Sequence, residues 1–384
     1  MSPSLRFPEF TGEWENKRIG DIGKFFSGGT PSSSRKDFYG GEIPFIRSGE
    51  IHSDKTELFL TQEGYKNSSA KMVEVGDILL ALYGANSGDI SISQMRGAIN
   101  QAILCIRTNV APVFFKSVWE KHAQKILNTY LQGGQGNLSA DIVKKITISI
   151  PSQIEQAKIA ALFSHLDERI SIQNRLIDRL QSLIKGINRT IFTGSGLEYS
   201  LCDVCEIRSG YSGNQLQGGK GLGVSRIETI SAHNINLERI GYVAPFDASE
   251  NYRLQVGDIL FSNINSVEYI GNTAFIDKDY NLYHGMNLLR LIPFRNVVVP
   301  FYLYILLNTN RMLKHFKTIC NKAVSQASIN QKELGKTIVM LPSLEKQQQV
   351  CNIYQAMYSK LKTEKDVLSF YQEQKRYLLR HMFI

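Results

Sequence analysis

Ile150-Pro151-Ser152-Gln153-Ile154-Glu155-Gln156 opens one long helical pattern, and Leu341-Pro342-Ser343-Leu344-Glu345-Lys346-Gln347 opens a second. The first runs from Gln153 to Phe192 and the second from Leu344 to Phe383, with Pro151 and Pro342 standing 191 residues apart. At that spacing Ile191-Phe192 falls on Met382-Phe383. In the first pattern Leu166, Ile170, Gln173, Ile177, Leu180, Ile184, Ile187 and Ile191 step by fours and threes, which is a heptad seam. Their counterparts are Met357, Leu361, Glu364, Leu368, Tyr371, Lys375, Leu378 and Met382. The polar members Gln173, Glu364 and Lys375 suit a seam whose register is fixed at some cost in stability. Pro-Ser just ahead of each pattern is a helix-start signal. Two separate amphipathic helices, each lying on its own domain, are the other reading. It is disfavoured because about forty residues of seam make a rod of ~60 Å that no small domain covers.

The duplication continues into the segments before each helix. Asp21-Ile22-Gly23-Lys24-Phe25-Phe26-Ser27-Gly28 parallels Asp203-Val204-Cys205-Glu206-Ile207-Arg208-Ser209-Gly210. Val75-Gly76-Asp77-Ile78-Leu79-Leu80 parallels Val256-Gly257-Asp258-Ile259-Leu260-Phe261, Asn100 matches Asn287, and Leu138-Ser139 matches Ile329-Asn330. Between these matches, Ser32 to Lys71 and Leu216 to Arg253 share almost nothing. A repeat this long means duplicated domains, because solenoid repeats are much shorter. Gly76-Asp77 and Gly257-Asp258 read as turns into the apolar strands Ile78 to Leu82 and Ile259 to Ser262. Lys145 to Ile150 and Lys336 to Leu341 read as strands ended by proline. Phe114 to Leu131 and Phe301 to Thr318 read as the one clear helix of each segment. The expected architecture is α+β, with two globular domains of mixed strands and helices at residues 1–151 and 194–342. They are separated by an antiparallel two-helix coiled coil, residues 152–193 and 343–384, and related by a pseudo-twofold axis. Each domain then caps one end of the rod, a geometry that suits two half-sites on a duplex.

The chain has 384 residues and a formal net charge of +9, a mild pull toward polyanions. No apolar run reaches membrane-spanning length; the longest, Val297 to Leu307, is interrupted by Pro300. The first residues, with Pro3, Arg6, Pro8 and Glu9, lack a signal-peptide core. Five cysteines (Cys105, Cys202, Cys205, Cys320, Cys351) form no even framework, so a reducing cytoplasm is expected. Gly218-Gly219-Lys220-Gly221 has the wrong spacing for a phosphate-binding loop. Cys202 and Cys205 lack a second pair, occupy the places of Gly20 and Gly23 in the first repeat, and read as small core residues rather than metal ligands. The seven histidines show no metal spacing, and no hydrolytic triad signature is present. The expected chain is non-catalytic and holds no metal.

Taken in order, several further motifs complete a recognisable pattern. They are Leu5-Arg6-Phe7-Pro8-Glu9-Phe10 with Gly12-Glu13-Trp14, Ser27-Gly28-Gly29-Thr30-Pro31-Ser32, and Gly40-Gly41-Glu42-Ile43-Pro44-Phe45-Ile46. With the Val-Gly-Asp turns, Ile150-Pro151-Ser152 leading to Glu155-Gln156, and their repeats, the chain resembles the specificity (S) subunit of type I restriction–modification enzymes over its whole length. The resemblance implies two target-recognition domains, each reading one half of a bipartite asymmetric sequence in double-stranded DNA, and a coiled coil that sets the spacer. It implies no cofactor on this chain. Two modification (methyltransferase) subunits would bring S-adenosylmethionine and methylate adenine, and restriction (translocase and nuclease) subunits would bring ATP and Mg²⁺. Ser209-Gly210-Tyr211-Ser212-Gly213 replaces the Gly-Gly-Thr-Pro loop in the second repeat, a departure from the family's pattern.

Asn and Gln read adenine edges, Arg and Lys read guanine, and Lys, Ser and Thr hold phosphates. On that chemistry the first domain offers Ser27, Thr30, Ser32, Arg47, Ser48, Tyr83, Asn86, Asn100, Gln101, Gln132, Gln135 and Asn137. The second offers Arg208, Ser209, Tyr211, Asn234, Asn263, Asn265, Ser266, His284, Asn287, Asn321, Lys322 and Gln326. Singly, each reads more readily as a turn former or solvated polar group than as a DNA contact. Tyr83 and Tyr211, beside glycines, suit either support of an extruded base or an ordinary core or surface position. Glu168, Arg169, Arg175, Asp178, Arg179 and Lys185 lie on the outward face of the first helix, as partner contacts or as a solvated exterior. The rival function is a two-domain protein-binding adaptor without sequence-specific DNA recognition.

Overall fold

A computed structural model describes residues 3–130, 138–191, 196–216, 219–231, 234–322 and 326–384. The chain divides into two compact units, Met1–Arg175 with Lys365–Ile384, and Leu176–Glu364.

The first unit is built on an antiparallel sheet with the strand order Gly23–Ser27, Ile103–Thr108, Ile78–Ala81, Ile90–Ile92. Its central strand reads as a continuous apolar run because both faces are covered. Leu104 and Ile106 face a core with Trp14, Phe114, Phe115, Trp119 and Phe163, while Ile103 and Cys105 face a second core with Ile46, Ile51 and Val73. That second core is roofed by another sheet, ordered Phe59–Leu60, Tyr39–Ile46, Gly97–Ile99, Lys71–Val73. Here Phe45 pairs with Ala98 and Ile46 with Ile99 in parallel. The stretch Ser32 to Lys71, which has no counterpart in the second repeat, supplies most of this roof. The helix expected from Phe114 spans Pro112–Tyr130. Glu15–Arg18 pairs with Thr147–Ile150 and closes the domain.

The second unit repeats the sheet order with Cys205–Ser209, Leu289–Pro293, Ile259–Phe261 and Thr273–Phe275. Leu197–Ser200 pairs with Ile338–Leu341 as the closing strands do in the first. In place of a four-stranded roof it carries the hairpin Leu222–Val224 with Gly241–Val243, and a small sheet of Ile264–Asn265, Ala327–Ser328 and Asn321–Lys322. The single helix expected over Phe301 to Thr318 is two helices, Pro300–Leu307 and Asn310–Ile319. Thr309 breaks the run because its side chain accepts from the Met312 amide and caps the second helix. Pro300 starts the first of these helices, at a position where its missing N–H costs nothing. Short helices at Ala140–Lys145 and Gln331–Gly335, capped by Ser139 and Asn330, add to the one helix expected per segment.

The long helices span Gln153–Ile191 and Leu344–His381. Ser152 and Ser343 accept the amides of Glu155 and Lys346, as the Pro-Ser signal predicts. Seam residues Leu166, Gln173, Ile177, Ile184, Leu361, Glu364 and Met382 are buried. Within the first unit the two helices run antiparallel, with Phe163 against Phe383 (ring centroids 5.4 Å apart), Asp167 bonded to Lys375 (2.8 Å) and Arg169 over Tyr371 (5.9 Å). Phe383 also meets Trp14 and Phe114, so the end of the chain completes the first unit's core. Burying such a ring contributes about 1.5–3 kcal/mol. No described helix is long and apolar enough to cross a membrane.

Candidate nucleic-acid interface

In each unit the repeated sheet brings three loops to one end. In the first these follow Ser27, follow Ala81 and precede Ile103, since Ser27 pairs with Leu104 and Ala81 with Ile103. The chain can turn there only with glycine: a Cβ on Gly28 would lie 1.7 Å from the Ile99 carbonyl oxygen. Gly210 stands in the same relation to Gly285, at 1.8 Å. The Val-Gly-Asp turns also repeat in detail. Gly76 and Gly257 have φ of +94° and +102°, and Asp77 and Asp258 accept the amides of Glu74 and Gln255 at 2.8 and 2.7 Å.

In the first unit the Thr30 hydroxyl donates to Gln101 Oε1 at 2.5 Å, joining two of the loops. Asn100 Oδ1 accepts the Ala102 amide at 3.1 Å and so shapes its turn. Asn86 and Tyr83 are exposed, and a Cβ on Gly49 would lie 3.6 Å from Asn86 Nδ2, which places the Arg47–Ser48 turn beside them. Arg47 is gripped by Glu50 (2.8 Å) and Glu57 (2.9 Å), and the Arg47 guanidinium holds the Glu50 carboxyl down at about 2. Ser27 is half-buried in its strand, and Ser32 bonds to Ser34 away from the Thr30–Gln101 contact. Gln132, Gln135 and Asn137 lie outside the described residues.

In the second unit Ser209, Ser266 and Asn287 are exposed at the corresponding sheet end, Asn287 with a left-handed φ of 63°. Asn265, Asn321 and Lys322 come together on the small sheet, with exposed Gln326 just before its strand Ala327–Ser328 and Asn265 also donating to Ser262 Oγ at 3.1 Å. Asn263 is committed to the fold through Nδ2, which donates to the Ile329 carbonyl at 3.3 Å. Asn234 is exposed on the unshared Leu216 to Arg253 stretch. Tyr211 stacks on Phe246 at 3.6 Å with Tyr252 edge-on, so its ring face is already occupied. His284 is fully buried, shares a hydrogen bond with the Leu288 carbonyl (3.0 Å), and is pushed down to about 4 chiefly by burial. It is a neutral core histidine.

One charged position, Arg290, escapes sequence reasoning. Arg290 lies buried beside Asp258 at 2.6 Å, their side chains 6% and 4% exposed. It stands directly across from Arg208, which is bound to Glu206 at 2.7 Å. Strand pairing between residues far apart in sequence makes this cluster, and no local motif announces it. Cys205 is buried and its thiol raised to about 12 by burial, whereas Cys202 is exposed, so the pair is not one core feature as expected. Among the described residues no group of three His, Cys, Asp or Glu could hold a metal ion.

On the helices Glu168, Arg169, Arg175, Asp178, Arg179 and Lys185 are all exposed. Ile172, Leu183, Phe370 and Tyr377 on the long helices are exposed as well, an apolar component the charge pattern does not reveal. The opening motif clamps the first long helix. Arg6 donates twice to Glu155 at 2.7 Å, and Trp14 Nε1 donates to the same carboxylate at 3.3 Å. Gln156 and Gln347, matched in the repeat, both donate to the prolyl carbonyls of Pro151 and Pro342.

The family model described as "Type I restriction modification DNA specificity domain" matches the chain twice, over residues 11–182 and 197–369. A putative type I restriction enzyme MjaX specificity subunit of Methanocaldococcus jannaschii is 38% identical over 187 residues, 48% of this chain and 44% of that protein. The type I restriction enzyme HindI specificity subunit of Haemophilus influenzae is 28% identical over 187 residues, 44% of this chain and 40% of that one. The chain thus spans less than half the length of these curated relatives. Among solved structures, the S subunit of a type I restriction–modification system from M. genitalium superposes with a TM-score of 0.67 at 16% identity, covering 100% of this chain and 99% of that one. A chain from a study of type I R-M complex assembly and conformational transition gives 0.58 at 17% identity, covering 97% of each. These likenesses establish the α+β fold of two tandem domains with long helices. With both repeats matched, the chain belongs to the family of type I restriction–modification DNA specificity domains.

Proposed function

We propose that this chain is the DNA-recognition subunit of a type I restriction–modification complex and carries no catalytic centre of its own. Each repeated domain reads one half of a bipartite, asymmetric target in double-stranded DNA, and the helix pair sets the unread spacer. The helices also seat two methyltransferase subunits, which bring S-adenosylmethionine and methylate adenine in each half-site. Restriction subunits add translocation and cleavage with ATP and Mg²⁺. The place of action is the cytoplasm.

One observation carries this reading. The family pattern occurs twice on one sheet design, while the stretches between its matched motifs fold differently in the two units. A shared frame with unlike inserts is what two different half-sites require. The exposed Asn, Gln, Ser and Thr residues at the sheet ends have the chemistry for groove contacts, and the +9 charge favours the backbone.

Mapping methyladenine in a host that co-expresses this chain with its methyltransferase subunit tests the proposal. Two short half-sites at a fixed gap are expected; methylation in an uninterrupted motif, or none that depends on this chain, would sink it. Deleting a heptad from both long helices should shorten the gap and leave both half-sites unchanged. A salt titration separates the adaptor alternative, because backbone-dominated DNA binding weakens steeply with salt.

A further inference from the structure

A polar cavity of about 620 Å³ opens beside the edge strand Cys205–Ser209 of the second unit, lined by Arg208, Ser209, Asn251, Tyr252, His284 and Arg290 among others. Arg208 and Arg290 face one another in register across two antiparallel strands, an arrangement of like charges that by itself destabilises a sheet. Arg290 is 5% exposed. Its Nη2 contacts Asp258 at 2.6 Å and its Nη1 donates to the Asn251 carbonyl at 3.3 Å, but its Nε is buried without a hydrogen-bond partner. A buried ion pair that leaves a donor unpaired is poor stability design. Nor does the fold require it: the matching cross-strand pair in the first unit is Phe26 and Cys105, packed in an apolar core.

We propose that this cavity is an anion site that takes a phosphoryl group of the DNA backbone at the second half-site, with Arg208 at its rim and Arg290 in its wall. The inference rests on the DNA-recognition reading and deepens it. Arg208 and Ser209 finish the edge strand at the sheet end where that reading places the duplex, and buried His284 lies behind them in the cavity lining. The Glu206 carboxylate now receives two Arg208 N–H donors at 2.7 and 2.9 Å, and a phosphoryl group presents the same paired acceptors. In the first unit the matching strand positions hold Phe26 and Cys105, and the Gly-Asp turn is met by exposed Arg107, 2.7 Å from Asp77, so the two half-sites differ in where they hold backbone-binding charge.

The test uses the full chain assembled with its methyltransferase partner and a duplex carrying the mapped target. Affinity is measured over a salt series for the unaltered chain, for Arg208→Ala, and for the charge-neutral double variant Asp258→Asn with Arg290→Met. Arg208 is exposed, so its removal leaves the fold intact. The slope of log K against log salt should fall by about one in either variant, the signature of one lost phosphate contact. Inorganic phosphate titrated into the DNA-free complex, followed by calorimetry, gives the second arm. Unchanged slopes with phosphate binding that needs Arg208 keep the anion site and move its ligand to free phosphate. Unchanged slopes with no phosphate binding overturn the proposal. Failure of the unaltered complex to bind DNA at all counts against the recognition reading instead, and the phosphate arm still decides the cavity.

Discussion

Where Phe26 faces Cys105, the first domain lays a second sheet over its frame and buries an apolar cluster between them. Where Arg208 faces Arg290, the second domain lays down loops and a hairpin and leaves charge under the surface. The strand order, the Gly-Asp turns and the prolyl-bound glutamines are common to both. Duplication therefore fixed one face of the sheet, the one that packs on the long helix and the closing strands. On the other face both domains keep an apolar cluster and an arginine on the Gly-Asp turn, but the arginine is exposed Arg107 in the first and buried Arg290 in the second.

The largest difference should appear when the matching arginine–aspartate contacts are broken. Arg290→Met leaves Asp258 buried and unpaired and should cost about 3–5 kcal/mol. In the first domain Arg107 reaches Asp77 at 2.7 Å from a position 42% exposed, and Arg107→Ala should cost at most about 1 kcal/mol. Denaturant melts of the two variants measure both. Equal losses would mean that the burial contrast carries no energetic weight.

Acid should separate the domains next. The folded second domain keeps His284 neutral, since burial and the nearby Arg290 charge outweigh its hydrogen bond to Leu288 and lower it to about 4. The unfolded chain takes up that proton below about pH 6.5, so the stabilisation is complete above that value and is lost as pH falls toward 4, about 3 kcal/mol in all. Asp258, raised by burial, acts in the opposite sense on acidification. In the first domain Glu50, held at about 2 by Arg47, keeps its contribution until pH falls below about 4.5. Hydrogen exchange resolved by domain at pH 7, 5 and 4 should show the second domain loosening first, and His284→Asn should flatten its response. Simultaneous loosening would refute this order.

The shared frame makes a prediction of sameness. Gly28→Ala and Gly210→Ala each push a methyl group against a carbonyl oxygen and should each cost about 1–3 kcal/mol. A large effect in one domain and none in the other would show that the two frames are less alike than their strand order.

What was legible in the sequence follows the same division. Periodic or local features declared themselves: the heptad seam, Pro-Ser at the helix starts, and glycine in the Gly-Asp turns. Features made by pairing distant segments did not. The parallel contact of Tyr39–Ile46 with Gly97–Ile99 has no local signature, and neither does the meeting of Arg208 with Arg290. The break at Thr309 was hidden because apolar periodicity continues through it, and a cap shows only in the hydrogen bond it makes. His284 looked like a polar loop residue because burial is a property of what folds over a residue. Of the candidate contacts, the structure joins Thr30 to Gln101 and gathers Asn265, Asn321 and Lys322, while Tyr211 and His284 are spent on packing.

The smallest expected difference concerns how each domain holds its exposed arginine. Among the described residues Arg208 is ion-paired with Glu206, whereas Arg47 is shared by Glu50, which is partly buried and also bonds to the Arg47 amide, and by exposed Glu57. Removing the charge at Glu206 therefore frees a guanidinium, while removing it at Glu57 leaves Arg47 anchored. Surface pairs of this kind are worth up to about 1 kcal/mol, so Glu206→Gln should tighten DNA binding by no more than about fivefold, and Glu57→Gln by less. The gain should shrink as salt rises, because exposed charges are screened over about 10 Å at 0.1 M. Tighter binding to target and non-target duplexes alike would mark the freed Arg208 as a backbone contact. A gain confined to the target would mark it as a base reader and remove it from the rim of the anion cavity.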